Sequence, residues 1–443
     1  MRKYKFLVFI YLISLLSYSL ANSIGGNVQN LYRVPVLNIR WIDVAILIII
    51  ISFFSKLFYK QKLLKNNSFI IIICFVYVIF EFFELFRTWG VTDADSQISH
   101  YLCTLSLFIV VDLATYPIPL NKLNTFLKGY SLFGAIVLVF SNLYLLYSFL
   151  SGKFVFQDLG IRVGIEVAGS KESIYSTVLT PLVYAFGLYF LQKKIKFWEK
   201  IIYIVAILSI YIVLVLTIFR GLFLMLIIIT GYFIFSKGFS KQAITKVLGI
   251  AALLIFVYFV FGNTLAKKGY DPIEKITEIA KYSTDVKDPE WDKGRSISLQ
   301  YAMNAWKKNM WFGAGYDVLL NYGLPEQVAT AHNGIVTSLF HRGIIGTILL
   351  LSILISLFIY AIKLWTLLNK RKKEKETIFK LLILVSFLWI ILFSTQEALW
   401  EKYSLSIQYM YLGIIYNIYK QKLMDKSVLK KTHSSLKTLT YNE

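Results

Sequence analysis

The chain has 443 residues, 57% of them apolar and only 16% charged, where a soluble domain carries about a quarter charged residues. Apolar runs of roughly 16 to 25 residues recur along it, each long enough to cross a hydrocarbon core as a helix, which excludes a soluble fold. The formal charge of +22 is concentrated in short gaps between these runs, so it reads as a topology signal and not as a nucleic-acid surface.

Spans are expected near 5–21, 41–58, 68–86, 98–116, 126–150, 173–191, 201–218, 221–236, 245–261, 333–362, 378–393 and 403–419. The first resembles a signal peptide, but in a chain with so many later spans it is expected to stay as an uncleaved helix. Basic clusters at Arg2/Lys3/Lys5, Lys60/Lys62/Lys65, Lys193/Lys194/Lys196/Lys200, Lys237/Lys241/Lys246, 370–375 and the tail from Lys420 all fall on one side of this threading. The positive-inside rule makes that side cytoplasmic, with both chain ends on it. The gaps 22–40, 87–97, 151–172 and 262–331 then lie outside. Cys74 and Cys103 fall within apolar runs and read as small core residues.

Taken as one helix, 201–235 would run over about 50 Å and bury Arg220 near mid-membrane, at roughly 2.5 kcal/mol or more. A break at Phe219-Arg220-Gly221 removes both problems and sets Arg220 at the outer surface. The long polar segment that follows contains Pro272, Pro289 and Pro325, with amphipathic helices expected near 273–282 and 296–309. Polar loops of this length are generally functional, so an external subdomain over the mouth of the bundle is expected. The organisation is therefore spans 1–9 over 1–261, an external subdomain over 262–332, spans 10–12 over 333–419 and a basic cytoplasmic tail over 420–443.

His332 opens the tenth span in Ala331-His332-Asn333-Gly334. In a continuous helix Gly343 and Gly346 return to about the same face as His332, a small-residue stripe suited to close helix packing. His341 would lie on the opposite face, so the two histidines should not share a site and replacing His341 should be mild. Taken alone, His332 reads first as an interfacial polar anchor. Glu81, Glu84 and Arg87 are spaced as a local ion-pair ladder. Arg162, Glu166, Lys171 and Glu172 line an external loop as candidate sugar contacts. Trp306 and Trp311 fit an interfacial belt and also suit stacking on sugar rings. No metal-ligand spacing, phosphate-binding glycine loop or nucleophile elbow occurs, so no metal or cofactor is expected.

His332-Asn333 followed by Gly343-Ile-Ile-Gly346-Thr347 resembles the signature of the bacterial O-antigen ligase and O-antigen polymerase superfamily. The resemblance extends to Gly294-Arg295, Ala302 to Trp306, Gly313-Ala-Gly315 and Arg220-Gly221. Family members often carry Ser before the hairpin arginine, where this chain has Phe219. The resemblance implies an all-α, polytopic membrane protein of about twelve spans, GT-C-like, with its large external loop between spans 9 and 10. It implies that Arg220 and Arg295 hold the diphosphate of an undecaprenyl-type lipid and that His332 activates or positions the acceptor hydroxyl. Asn333, Arg162, Trp306 and Trp311 are further substrate-contact candidates.

Guanidinium forks suit diphosphate oxygens bidentately, and an unperturbed histidine can take a hydroxyl proton at neutral pH. Attack opposite the leaving diphosphate inverts the anomeric carbon. The expected function is a glycan polymerase at the outer face of a bacterial cytoplasmic membrane, making capsule, exopolysaccharide or O-antigen. Its substrate would be an undecaprenyl-diphosphate-linked oligosaccharide, and chain-length regulators or flippases are partner candidates. A ligase moving a finished glycan to a lipid A core or other acceptor is the alternative. A lipid-linked oligosaccharide flippase is the second alternative, disfavoured because the unusual residues gather at one face.

Overall fold

The computed structural model describes residues 69–89, 104–115, 118–150, 173–217, 220–235, 302–315, 334–371, 376–394 and 408–423, with single helical positions at 44, 47, 48, 51, 101, 249, 259, 299 and 300. The regular elements among these residues are helical. They are α1 (Phe69–Arg87), α2 (Leu107–Thr115), α3 (Leu120–Leu150), α4 (Ser173–Leu191), α5 (Phe197–Thr217), α6 (Arg220–Phe235), α7 (302–308), α8 (Gly334–Arg371), α9 (Thr377–Ser394) and α10 (408–423). Each expected span from 68–86 to 221–236 and from 333–362 onward meets one of these helices. The spans expected near 5–21, 41–58 and 245–261, and with them the total of twelve, lie outside the described residues apart from single positions.

Boundary differences have local causes. Helix α3 starts six residues before the apolar run, because the Pro119 carbonyl accepts the N–H groups of Lys122 and Leu123 at 3.0 Å and starts the helix in a polar turn. Helix α5 starts at Phe197 because Glu199 accepts the N–H of Lys196 at 3.1 Å, a side-chain cap on an otherwise unpartnered backbone donor.

Polarity runs opposite to that of a water-soluble bundle. On α1 the exposed stripe is Ile72, Val76, Ile79, Phe83 and Phe86, while Glu81 and Glu84 are buried. Ile201, Ile204, Val205 and Leu208 of α5 face outward, as do Ile348, Ile355, Ile359 and Ile362 of α8. Helices in water place their apolar stripe inward, so outward stripes of this kind belong in hydrocarbon. Among the described residues Phe69–Arg87, Leu120–Phe140 and Gly334–Asn369 are long and apolar enough to cross a membrane, and Leu179–Leu191, Leu222–Phe235 and Thr377–Ile391 are shorter apolar helices. The chain is an integral membrane protein, all-helical where described.

Two compact units are distinguished. The first comprises Met1–Ala45, Lys128–Gln300 and Leu388–Gln396. Within it α4 packs on α5 and α6, and Gly187 lets Tyr203 and Ile207 approach the α4 backbone closely. Hydroxyl bonds tie these helices: Tyr184 to Tyr211 at 2.6 Å and to Thr230 at 2.7 Å, and Ser131 to Tyr203 at 2.7 Å. Asn142 donates to Ser209 at 2.9 Å. Polar side chains bonded across helices are the usual ties where apolar burial does not favour one helix neighbour over lipid. Lys128 Nζ reaches both carboxylate oxygens of Glu199, at 2.9 and 2.8 Å.

The second unit comprises Ile46–Leu127, Tyr301–Phe387 and Glu397–Glu443. Here α1 packs along α8 and against α2. A Cβ on Gly346 would overlap the Phe80 ring, and Gly413 of α10 lets Val110 and Leu113 of α2 come close. At one end of α10, Gln421 donates to the Ile118 carbonyl at 2.5 Å and Lys422 pairs with Glu376 at 2.6 Å.

The Lys128 hydrogen bond holds the Glu199 carboxyl below the usual carboxylate range, against the opposing effect of burial. A depressed folded-state pKa stabilises the fold above the ordinary carboxylate value and loses that contribution as the pH falls through the folded value. Glu199→Gln should therefore lower the thermal midpoint in detergent at neutral pH. The gap to the parent should close as the pH drops below 4.5, the ordinary value. A gap independent of pH would reject the ion pair as its source.

Candidate functional site

Helix α8 is not continuous. Gly343 has φ 63° and ψ −168°, a region essentially closed to side-chain-bearing residues. The break removes the bonds that Ile344 and Ile345 would make to the carbonyls of Phe340 and His341 four residues back. All four groups are instead answered by the segment 310–315. Ile344 N–H donates to the Met310 carbonyl at 3.0 Å and Ile345 N–H to that of Trp311 at 3.2 Å. Ala314 N–H donates to the Phe340 carbonyl at 2.7 Å and Gly315 N–H to that of His341 at 3.1 Å.

Local sequence makes this exchange possible. Among the described residues the glycines with positive φ are Gly313, Gly315 and Gly343, and all three meet here. A Cβ on Gly343 would overlap the Trp311 carbonyl group, one on Gly313 the His341 carbonyl carbon, and one on Gly315 would lie 2.6 Å from a Thr88 methyl. Upstream, α7 presents Ala302 and Ala305, which with Ala314 and Phe340 form a small core flanked by Val336. This helix is the described part of the amphipathic segment expected over 296–309.

Side chains close the junction. His341 is buried, and its Nδ1 lies 2.5 Å from the Gly315 carbonyl oxygen. A carbonyl only accepts, so this nitrogen carries the proton and donates. Arg342 Nε donates to Glu81 Oε1 at 2.5 Å, with side-chain exposures of 6% and 1%, and the guanidinium sits 5.9 Å from the Tyr77 ring centre. At the end of α1, Arg87 binds the Glu84 carboxylate through Nε and Nη2 and donates to the carbonyls of Phe312 and Gly313 at 3.1 and 2.8 Å. Phe312 stacks on Phe80 with ring centres 6.5 Å apart.

The expected site residues are placed unevenly. Arg220 is the first residue of α6 and α5 ends at Thr217; residues 218 and 219, where the hairpin is expected, lie outside the described residues. Arg162, Arg295, His332 and Asn333 lie outside the described residues; α8 begins at Gly334, the next residue after Asn333. Trp306 is half-buried on α7 and donates its indole N–H to the Met310 carbonyl at 3.1 Å. Trp311 is 61% exposed.

Two expectations need correcting. The face shared by His332, Gly343 and Gly346 assumed one continuous helix, and the break at Gly343 ends that periodicity. Gly346 does admit a close helix neighbour, whereas Gly343 serves the break. His341 is a buried tie between α8 and the 310–315 segment, a role that the expectation of a mild loss did not include. The ladder at 81, 84 and 87 is also partial: Glu84 pairs with Arg87, and Glu81 with Arg342. Arg342 escaped notice, although a cation beside apolar Ile344 and Ile345, and two carboxylates within an apolar run, each demand a partner.

Residues 202–351, about a third of the chain, match the family model described as O-antigen ligase. That segment is similar to the O-antigen ligase family, and it contains Arg220, Arg295, His332, Gly343 and Gly346 together. No curated protein matches the chain.

The geometry ranks two glycine substitutions. Gly343→Ala meets both a forbidden φ/ψ and an immovable backbone, and should cost more than about 3 kcal/mol. Gly346→Ala meets mainly the Phe80 ring and its own turn, and should cost about 1–3 kcal/mol. Thermal midpoints of the purified variants in detergent should fall in that order, and the reverse order would contradict the break.

Proposed function

We propose that this protein is a glycan polymerase. It transfers an oligosaccharide from an undecaprenyl-diphosphate-type carrier to a sugar hydroxyl of a second lipid-linked unit, at the outer face of a bacterial cytoplasmic membrane. The observation that carries this reading is the single family segment 202–351 enclosing both arginines and the histidine. On this reading Arg220 and Arg295 clamp the diphosphate, whose charge grows as the glycosidic bond breaks. His332 takes the acceptor proton, with Asn333 beside it. Arg220 heads α6, where first-turn N–H groups without helical acceptors suit phosphate oxygens. Arg162, Trp306 and Trp311 are assigned to sugar contacts, and the single displacement inverts the anomeric carbon without a metal.

The twelve-span threading belongs to the same proposal and has physical support. Gln421, Ile118, Lys422 and Glu376 meet at one end of the second unit, and all of them fall in gaps assigned to the cytoplasm. Arg87 meets Phe312 and Gly313, which fall in gaps assigned outside. Ligation of a finished glycan to a different acceptor is the second reading, favoured by the description of the matched family as a ligase.

The test uses purified protein with lipid-linked repeat units in detergent, where a flippase has no task. Longer lipid-linked chains should form, should persist in EDTA, and should be lost in His332→Ala at unchanged protein yield. Product made only on a non-polyprenyl acceptor would select the ligase, and near-normal elongation by His332→Ala would remove the histidine from the reaction.

The arginines supply an independent check. Arg220→Ala and Arg295→Ala should each cost about 2–4 kcal/mol of transition-state stabilisation, and each Lys substitution less. Because both hold one group, the double Ala variant should lose much less than the two effects added. Full additivity in kcat/KM would show that they act on separate groups.

A further inference from the structure

The short half of α8, from Gly334 to Arg342, is not aimed by the long half that follows, because Gly343 breaks the helix between them. We infer that His341, the Glu81–Arg342 pair and the 310–315 segment form a clasp that sets the direction of this short half, and so positions His332 and Asn333, which directly precede it. The inference rests on the proposed role of His332 and adds positioning residues to it.

Leverage makes the clasp consequential. Gly334 lies nine residues before Gly343, so the start of the short half is about 13 Å from the break. A change of about 10° at the break then moves that start by about 2 Å. Reacting groups tolerate roughly 0.5 Å, and a misplacement of about 1 Å can cost 100-fold in rate. Each part of the clasp ties the short half to a different partner. The backbone bonds from 310–315 hold both sides of the break. His341 ties the short half to Gly315, and Arg342 ties its last turn to Glu81 of α1. A buried charge pair is a directional tie whose stability benefit over apolar packing is often nil.

The experiment separates positioning from folding. In Glu81→Leu/Arg342→Met both charges of the pair go together, so the double variant should melt closer to the parent than either single variant. Its kcat for elongation should nevertheless fall at least tenfold, with KM for the lipid-linked donor within twofold. His341→Ala should show the same split. His341→Asn, which keeps an N–H donor near the Nδ1 position, should bring kcat back to within threefold of the parent. Should the double variant or His341→Ala fail to fold, Arg342→Lys, which keeps the charge and loses the fork, carries the test with the same readouts. Parental kcat in these folded variants, or a loss confined to KM, overturns the clasp. His332→Ala run in parallel tells the two failures apart. If it is inactive while the clasp variants are normal, the function stands and the clasp falls; if it is active, the proposed role of His332 fails on its own.

Discussion

A backbone N–H or C=O that loses its partner inside an apolar bundle has no water to replace it, at a cost of several kcal/mol per group. The break at Gly343 creates four such groups, and the 310–315 segment satisfies every one. Much of the surrounding structure follows from that requirement. The segment can reach the helix backbone only because Gly313 and Gly343 have no Cβ, and it turns back only because Gly313 and Gly315 accept positive φ. Its register is fixed as well, since a shift by one residue would misalign four hydrogen bonds together. A chain segment read from sequence as external loop is in this way a structural part of the second unit.

Electrostatics at the junction differ in kind from those elsewhere. Lys128 keeps 35% of its side chain exposed while its partner Glu199 keeps 8%, so this pair is partly screened by solvent and salt. Glu81 and Arg342 are almost fully covered, and breaking a buried pair by removing one partner typically costs about 3–5 kcal/mol. The buried pair therefore acts mainly as a condition on geometry: α1 and α8 must pack so that these two side chains meet. Arg87 plays a related part at the end of α1, where one guanidinium serves both the Glu84 carboxylate and two loop carbonyls.

What sequence reveals and what it hides divide along physical lines. Apolar runs mark the helices well because lipid-facing and core positions are both apolar. The early start of α3 was not legible, since its first turn is polar and is fixed by the Pro119 carbonyl. The break in α8 was hidden for a stronger reason. A lone glycine within an apolar helix is ordinary, and averaging over Gly343 returns one unbroken run. The partners that sustain the break, the carbonyls of Met310 and Trp311 and the N–H groups of Ala314 and Gly315, lie far upstream in sequence. The candidate site was readable as a motif, His-Asn followed by Gly-x-x-Gly. The motif alone gave Gly343 and Gly346 the same role, whereas the fold gives one to a backbone break and the other to the contact with Phe80.

That division also changes what the spacing between the histidine and the glycines means. In an unbroken span, the place of His332 would follow the tilt of the whole helix, which adjusts to bilayer thickness and to neighbouring helices. With the break, the long half of α8 can meet the demands of the bilayer while the short half answers to the 310–315 segment and to Glu81. On the proposed role of His332, the nine residues from Gly334 to Gly343 measure the length of the arm that carries it. An insertion or deletion within the arm would change both its reach and its rotation, by about 1.5 Å and 100° per residue. On the proposed reading, the fixed spacing of the motif is a mechanical requirement of the transfer reaction, and the glycine at its far end is where that arm is anchored.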